Sequence, residues 1–265
     1  VDQAKDLSYQ YADGGDGLGS FALANTDPRD IAANADGSLL WVLDRDKNVE
    51  VYKGDGTQLG QWKAYGLGTE PEGITLDGKD LWMADRTGKL NWYDNAATRT
   101  SGTNSPDLSF TLSLDGNLKG IVTDGTYLWA VTEGTCDYVY RFKIVRDWWG
   151  NPSGLSQSGG WQLPTANTKP TGITLDPSGK SDSLWIVDES TDTVYEYGYG
   201  RSQTWGVGTI TAKFKLSAGN TAPQGIADPL PAGAEAFDLA EISAAAGLET
   251  TQPDPYAGDF VTSLF

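Results

Sequence analysis

One sequence block recurs five times along the chain and restricts its fold more than any other feature. The block opens with Pro-x-Gly-Ile or a close variant, and its isoleucines are Ile31, Ile74, Ile121, Ile173 and Ile226. These isoleucines are 43, 47, 52 and 53 residues apart. A Leu-Trp run follows the first four copies, starting at Leu40, Leu81, Leu128 and Leu184. A period of about 40–50 residues with four short strand-like runs is typical of β-propeller blades.

Each repeat is predicted to form four antiparallel strands, A to D, counted outward from the ring axis. The Gly-Ile run is strand A, because small residues let backbones approach closely at the axis. The Leu-Trp run is apolar on both faces, as expected for a strand B buried between two neighbouring blades. Alternating runs such as Val49–Tyr52 are strand C, and outer runs such as Leu59–Trp62 are strand D.

The two ends of the chain complement one another in this scheme. Before the first strand A, Leu7–Tyr11 is predicted as a strand C and Gly19–Leu23 as a strand D. At the other end, Pro223–Asp228 is a strand A with no Leu-Trp run behind it. We therefore predict an all-β, five-bladed β-propeller over residues 1–228, closed by the N-terminal C and D strands pairing with the C-terminal strand A.

Residues 229–265 are predicted to be a linker and a C-terminal tail. Two segments in it are candidates for the missing strand B of the fifth blade, Glu235–Ile242 and the apolar end Phe260–Phe265. An apolar, strand-forming end is an aggregation hazard unless it is docked. We expect it to dock as an extra strand on the propeller, or on a neighbouring protomer or domain.

The repeat resembles those of the NHL-like and YVTN-like propeller families, in which a Pro-x-Gly-Ile strand precedes a strand that ends in Asp. Strands of the second kind end here at Asp44, Asp85 and Asp188. The resemblance covers roughly residues 7–228 and implies the propeller fold. It implies no single function, because propellers include enzymes, scaffolds and adhesins.

Charge and composition narrow the classes of partner. The chain has 19 basic and 36 acidic residues, a net charge of −17, which would repel nucleic acid and anionic membrane surfaces. No run of 18 apolar residues exists, so no membrane insertion is expected. Because the chain opens at Val1 rather than methionine and is strongly acidic, we predict an extracellular or cell-surface piece of a larger protein.

Residue types also limit the chemistry. The chain has no histidine and one cysteine, which excludes Ser-His-Asp hydrolysis and histidine-ligated metals. We predict no enzymatic activity and no cofactor. The alternative is a calcium-dependent hydrolase or lactonase-type propeller, for which Glu72, Asp44 and Asp85 could form an acidic cluster at the channel. Separately, Asp44, Asp46 and Asn48 offer alternating oxygen ligands for a peripheral calcium ion.

Two surfaces are candidate binding sites. In an A–B–C–D blade the D–A and B–C connections share one face, so one set of polar residues should surround the channel mouth. This set is Arg29, Asp44, Glu72, Asp85, Lys119, Thr171, Asp188 and Gln224. The second surface is aromatic and lies in the long C–D insertions of the third and fourth blades. Its members are Trp148, Trp149, Tyr199 and Trp205.

Aromatic side chains on long loops can stack on sugar rings or anchor a protein partner. Because the two insertions belong to neighbouring blades, they are predicted to form a joint surface opposite the channel mouth. The sequence therefore predicts a non-catalytic extracellular binding or interaction module for a glycan or protein ligand. A purely structural subunit or spacer of an assembly is the alternative.

Overall fold

A computed structural model describes residues 1–12, 15–176 and 181–227, and in it the chain is all-β with a propeller arrangement. Strand β1 (Leu7–Tyr11) pairs with β2 (Gly17–Ala22) as a hairpin. The first blade consists of β3 (Pro28–Ala33), β4 (Leu39–Asp44), β5 (Asn48–Lys53) and β6 (Gln58–Ala64). The second consists of β7 (Pro71–Asp77), β8 (Asp80–Asp85), β9 (Lys89–Tyr93) and β11 (Leu108–Thr111).

The third and fourth blades follow the same pattern. The third consists of β12 (Asn117–Thr123), β13 (Tyr127–Glu133), β14 (Tyr138–Arg146) and β15 (Pro152–Gln162). The fourth consists of β16 (Pro170–Leu175), β17 (Leu184–Asp188), β18 (Thr193–Tyr197) and β19 (Ile210–Lys215). In each of these blades, neighbouring strands are antiparallel and run in sequence order from the inside outward, as predicted from the repeat.

The number of complete blades differs from the prediction. A closed ring of five blades was predicted, whereas the described residues form four four-stranded blades and no closed ring. The β1–β2 hairpin and the segment 223–227 lie outside these four blades and are joined by isolated bridges from Asp2 to Pro223 and to Leu7. The physical reason is length, because the short segment 1–3 between them can form bridges but not a ladder. The candidates Glu235–Ile242 and Phe260–Phe265 lie outside the described residues.

Tryptophans of the Leu-Trp runs fill the interfaces between successive blades. Trp41, Trp82 and Trp129 are at most 1% exposed. Each belongs to an apolar cluster shared with the following blade, the first with the second, the second with the third and the third with the fourth. A side chain of about 200 Å² buried in this way stabilises the fold by several kcal/mol.

Strands A approach one another closely at the axis. A Cβ atom on Gly172 would lie 2.7 Å from the backbone oxygen of Gln224, so a larger residue there would force the backbone to shift. The first repeat has Asp30 at this position. Its buried carboxylate accepts hydrogen bonds from the backbone N–H groups of Ile31 and Ile74, both at 2.9 Å, and so links the first blade to the second.

Two C–D connections reach back onto the preceding blade. Strand β10 (Thr103–Asn104), which follows a short 3-10 helix at Ala96–Thr98, pairs in parallel with β6 of the first blade. In the fourth blade, Val207 forms a parallel bridge with Gln162 of β15. These contacts cover outer edges that would otherwise be unpaired. No helix among the described residues has the length and apolar character to cross a membrane.

Candidate functional site

The residue two positions before each repeat isoleucine lies near the start of a strand A or, for Gln224, near the start of the segment 223–227. Glu72, Lys119, Thr171 and Gln224 are buried, and the Arg29 side chain is 12% exposed. Contacts link neighbouring repeats, since the Thr171 hydroxyl donates to the Pro223 carbonyl at 2.8 Å. Seven of the eight candidate mouth residues thus lie near the starts of strands A or at the ends of strands B, and Gln224 lies beside the isolated bridge at Pro223.

Most charges of this channel mouth are paired. Lys119 lies 3.1 Å from Glu133, and Arg29 lies 3.0 Å from Asp27. Farther out, Lys169 pairs with Glu189 at 2.8 Å. Ion pairs made within the mouth leave little charge free to attract a ligand, and partly exposed pairs of this kind add little stability.

Glu72 is the exception at the mouth. It is 2% exposed, and the nearest ion-pair contact of its carboxylate is the Arg29 guanidinium at 4.0 Å. Burial raises the pKa of the Glu72 carboxyl, although the positive charges of Lys119 and Arg29 oppose the rise. A buried carboxylate with no close partner is costly in its charged form.

The pKa of Glu72 gives a testable pH dependence. Because it is raised in the folded state, folded protein binds a proton at a pH where the unfolded chain does not, so stability rises as pH falls from 7 toward about 4.3. The Glu72→Gln variant cannot bind this proton. As pH falls from 7 toward about 4.3, we therefore expect its free energy of unfolding to rise less than that of the wild type. Urea unfolding at stepped pH measures the difference.

Glu70→Gln is the matched control for that measurement. A hydrogen bond from Arg86 lowers the pKa of Glu70, so its contribution has the opposite sign and is lost as pH falls. The Glu70→Gln variant should therefore keep the rise seen in the wild type. Equal pH dependence in the wild type and Glu72→Gln would contradict the assignment.

The aspartates at the ends of strands B hold turns. Asp85 accepts hydrogen bonds from the backbone N–H groups of Gly68 at 2.8 Å and Thr87 at 2.9 Å. Asp188 accepts them from Lys169 at 2.9 Å and Thr191 at 2.7 Å. Each of these carboxylates links the D–A connection that leads into a blade with the B–C connection of the same blade. Their geometry accounts for the repeat of Asp at this position without a ligand.

The predicted calcium ligands are arranged as a turn. Asp44 accepts hydrogen bonds from both the backbone and the side-chain nitrogen of Asn48, each at 2.8 Å, while Asp46 is exposed. The Asn48 amide therefore presents its NH₂ group, and not its oxygen, to Asp44. Within the described residues, no group of three or more acidic, histidine or cysteine side chains is placed to hold a metal ion.

The channel behind the mouth is narrow, and its lining combines apolar side chains with polar surface. Its lining includes the repeat isoleucines Ile31, Ile74, Ile121, Ile173 and Ile226, and its volume is about 20 Å³. A cavity of that size holds roughly one water molecule. A ligand at the axis would have to bind at the mouth and not within the channel.

The aromatic surface lies on a hairpin of unusual length. Strands β14 and β15 have nine and eleven residues, whereas the C strands of the other blades have five or six. Its tip carries Trp148, which is 94% exposed, and Trp149, which is 82% exposed. Two adjacent tryptophans so exposed are unusual on a folded surface and point to an interaction site.

Asp147 fixes the conformation of this tip. Its carboxylate accepts hydrogen bonds from the backbone N–H groups of Trp149 and Asn151, both at 2.9 Å. Its backbone N–H donates to the Asn151 carbonyl at 2.8 Å. The Arg146 guanidinium donates to the Gly150 carbonyl at 2.9 Å and pairs with Asp77 of the second blade at 2.6 Å. The tip is therefore ordered before any ligand binds.

The insertion of the fourth blade meets this hairpin at the turn after β12. Arg146 donates to the Gly125 carbonyl at 2.9 Å, and Arg201 pairs with Asp124 at 2.8 Å. Two residues before Arg201, Tyr199 is 76% exposed and has a left-handed backbone with φ of 60°. Residues other than glycine seldom adopt the left-handed backbone conformation, and those that do are often found at functional sites.

Trp205 lies apart from the tip. It is 81% exposed, but its neighbour Thr204 accepts a hydrogen bond from Gly160, nine residues along β15 from Asn151. At about 3.3 Å per residue this is a separation of about 30 Å. The two insertions thus meet, but Trp205 lies too far from Trp148 and Trp149 to share a small ligand with them.

Comparison with known proteins gives no family. No protein-family model matches the chain, and no curated protein matches it. A solved structure of KlHsv2 with loop 6CD replaced by a Gly-Ser linker is 15% identical, with a TM-score of 0.38 over 52% of this chain and 46% of that one. The structure of U3-55K is 14% identical, with a TM-score of 0.46 over 80% of this chain and 58% of that one.

A functionally unknown protein from Desulfotomaculum acetoxidans DSM 771 is also 14% identical, with a TM-score of 0.45 over 82% of this chain and 65% of that one. This chain therefore covers between about half and two thirds of the length of these three structures.

Proposed function

We propose that this chain is a non-catalytic interaction module that binds a protein or glycan ligand through the hairpin tip at Trp148 and Trp149. The observation that carries the proposal is the exposure of both tryptophans, 94% and 82%, on a turn held by Asp147. Tryptophan is enriched among the residues that dominate binding energy at interfaces. A tip ordered in advance loses little conformational entropy on binding.

In this proposal, the blades form the rigid scaffold that positions the hairpin tip. We propose that it closes as five blades, with 223–227 as the innermost strand of the fifth and the β1–β2 hairpin as its outer half. Supporting this, the Gln224 N–H donates to the Val1 carbonyl and the Gln3 N–H to the Ala222 carbonyl, both at 3.0 Å. Gly225 also packs closely against Asp30 of the first blade, as the innermost strands of other neighbouring blades do. An NHL-like or YVTN-like origin of the repeat belongs to the same proposal.

We also propose that the module acts outside the cell or at its surface, as part of a larger protein. The net charge of −17 favours solubility and disfavours phosphate-rich partners. An aromatic tip on an acidic module suits a neutral glycan or a protein ligand. The purely structural spacer and the calcium-dependent hydrolase are the competing functions, and each gives a different result in the experiments below.

Binding to a glycan array is the first test of the tip. We expect Trp148→Ala or Trp149→Ala to weaken binding at least about tenfold, because each removes an exposed stacking surface. Trp205→Ala is the matched control, an equally exposed tryptophan about 30 Å away along β15, and it should bind as the wild type does.

If the array shows no binding, a photoreactive group at position 149 tests for a protein ligand by cross-linking to surface proteins of the source cells. Cross-linking should then be lost when unlabelled wild-type chain competes and retained when the Trp148→Ala chain competes. Neither glycan binding nor competed cross-linking would overturn the proposal in favour of a spacer. Calcium-dependent hydrolysis of lactones or glycosides would overturn it in favour of an enzyme.

A further inference from the structure

A cleft separates the fourth blade from the β1–β2 hairpin. Its volume is about 210 Å³, and its lining is mainly apolar. Trp185, Val187 and Phe214 of the fourth blade form one wall, and Ile31 and Leu40 of the first blade contribute to another. Each of the other three interfaces between successive blades holds a packed apolar cluster. The cleft is at the corresponding place before the fifth blade.

The cleft coincides with the missing part of a strand B. Asp2 corresponds to Asp188, because each carboxylate accepts hydrogen bonds from the two backbone N–H groups that precede the proline of strand A. Val1 then corresponds to Val187, so the segment 1–2 occupies only the last two positions of the strand. No described residue occupies the positions equivalent to Leu184, Trp185 and Ile186, which lie between Ile226 and Ala227 on one side and 9–11 on the other.

The exposure of Trp185 independently indicates that part of a strand B is missing at the cleft. It is the fourth member of a series whose first three tryptophans are at most 1% exposed, yet it is only half-buried. The difference follows from position, because Trp185 faces the cleft while Trp41, Trp82 and Trp129 face complete blades.

We infer that the C-terminal end of this same chain, Phe260–Phe265, binds in the cleft as a β-strand antiparallel to 225–227. A strand between two blades needs apolar side chains on both faces. Phe260–Phe265 meets that need, since it has no charged residue and alternates Phe260, Thr262 and Leu264 with Val261, Ser263 and Phe265. Glu235–Ile242 does not, because a strand there would place Asp238 between the blades, where a charge is costly.

Chain length permits this docking within one molecule. The described residues end at Ala227, and the linker 228–259 separates Ala227 from Phe260. In the first blade, five residues suffice to connect strand A with strand B. The longer linker adds only a slowly growing entropic cost to closure. This docking is a β-strand addition that pairs the free edges of β1 and of 225–227.

Amide hydrogen exchange on the full chain tests the inference. We expect the amides of Phe260–Phe265 and of 9–11 to exchange at least about tenfold more slowly in the wild type than in Leu264→Asp, which puts a charge into the docked strand. Thr251→Asp, with the same added charge in the linker, should keep the wild-type protection.

Three results would overturn the inference. The first is exchange of Phe260–Phe265 in the wild type at the rate of an unstructured peptide, which is decisive even if Leu264→Asp does not fold. The second is protection unchanged by Leu264→Asp. The third is protection from exchange that increases with protein concentration, accompanied by dimers in analytical ultracentrifugation. That result would mean that the tail of a second copy of the chain occupies the cleft. None of these depends on ligand binding at Trp148 and Trp149.

Discussion

Replacing Trp82 by alanine is expected to lower the free energy of unfolding by about 3–5 kcal/mol, the range for an aromatic side chain truncated in a packed core. Trp82 is fully buried between the second and third blades and contacts Phe110 with ring centres 5.8 Å apart. Its indole N–H donates to Asp77 at 3.0 Å, so the substitution also removes a hydrogen bond. Urea unfolding followed by circular dichroism at pH 7 measures the loss.

Trp149→Ala is the matched control for this experiment. Because Trp149 is 82% exposed, the same substitution there should cost under about 1 kcal/mol. Similar losses at both positions would show that the distinction between core and surface tryptophans is wrong.

Deleting residues 1–24 is expected to abolish cooperative folding of the whole ring. The deletion removes the β1–β2 hairpin and the bridges from Asp2 to Pro223 and Leu7. It also exposes an apolar cluster in which Val1 and Leu23 pack against Ile31, Val42 and Tyr52. The first and fourth blades would then both have unprotected faces.

Circular dichroism and thermal melting of the deleted chain check this expectation. The predicted result is no cooperative transition. A transition unchanged in midpoint and steepness would mean that the four complete blades form a stable unit without the N-terminal segment.

The repeat made the strands of the four complete blades predictable. Pro28, Pro71 and Pro170 begin strands A as predicted, and each Leu-Trp run lies in the strand that follows. The reason is physical, because a strand buried on both faces and a glycine at a crowded axis each demand particular residue types. Such demands recur with every blade and are therefore visible in a single sequence.

The partial strand at the N-terminus was not predicted. The segment 1–3 is too short to show a Leu-Trp run, although Val1-Asp2 matches Val187-Asp188 and offered a clue. The pairing of β10 with β6 was missed as well, because two residues leave no periodic pattern. Contacts between one blade and the next depend on the placement of whole blades, which local sequence does not specify.

The candidate site could be predicted in position but not in its interactions. The repeat located Glu72 and Lys119 at the channel mouth, but the pairing of Lys119 with Glu133 depends on the geometry of the ring. The sequence placed Trp148 and Trp149 on a long insertion, and their exposure follows from the length of the β14–β15 hairpin. It could not show that Trp205 lies about 30 Å away from them, since that depends on where the insertion of the fourth blade crosses β15.

Closure of the ring by the two ends of the chain is tested most directly by native-state hydrogen exchange at Gln3 and Gln224. Their amides donate to Ala222 and Val1, the contacts that join the ends. If the ring is closed, both amides should exchange only through global unfolding, with the same free energy and urea dependence as the amides of β13 in the third blade. Exchange of Gln3 and Gln224 through local opening, at low free energy while β13 stays protected, would contradict closure and leave an open array of four blades.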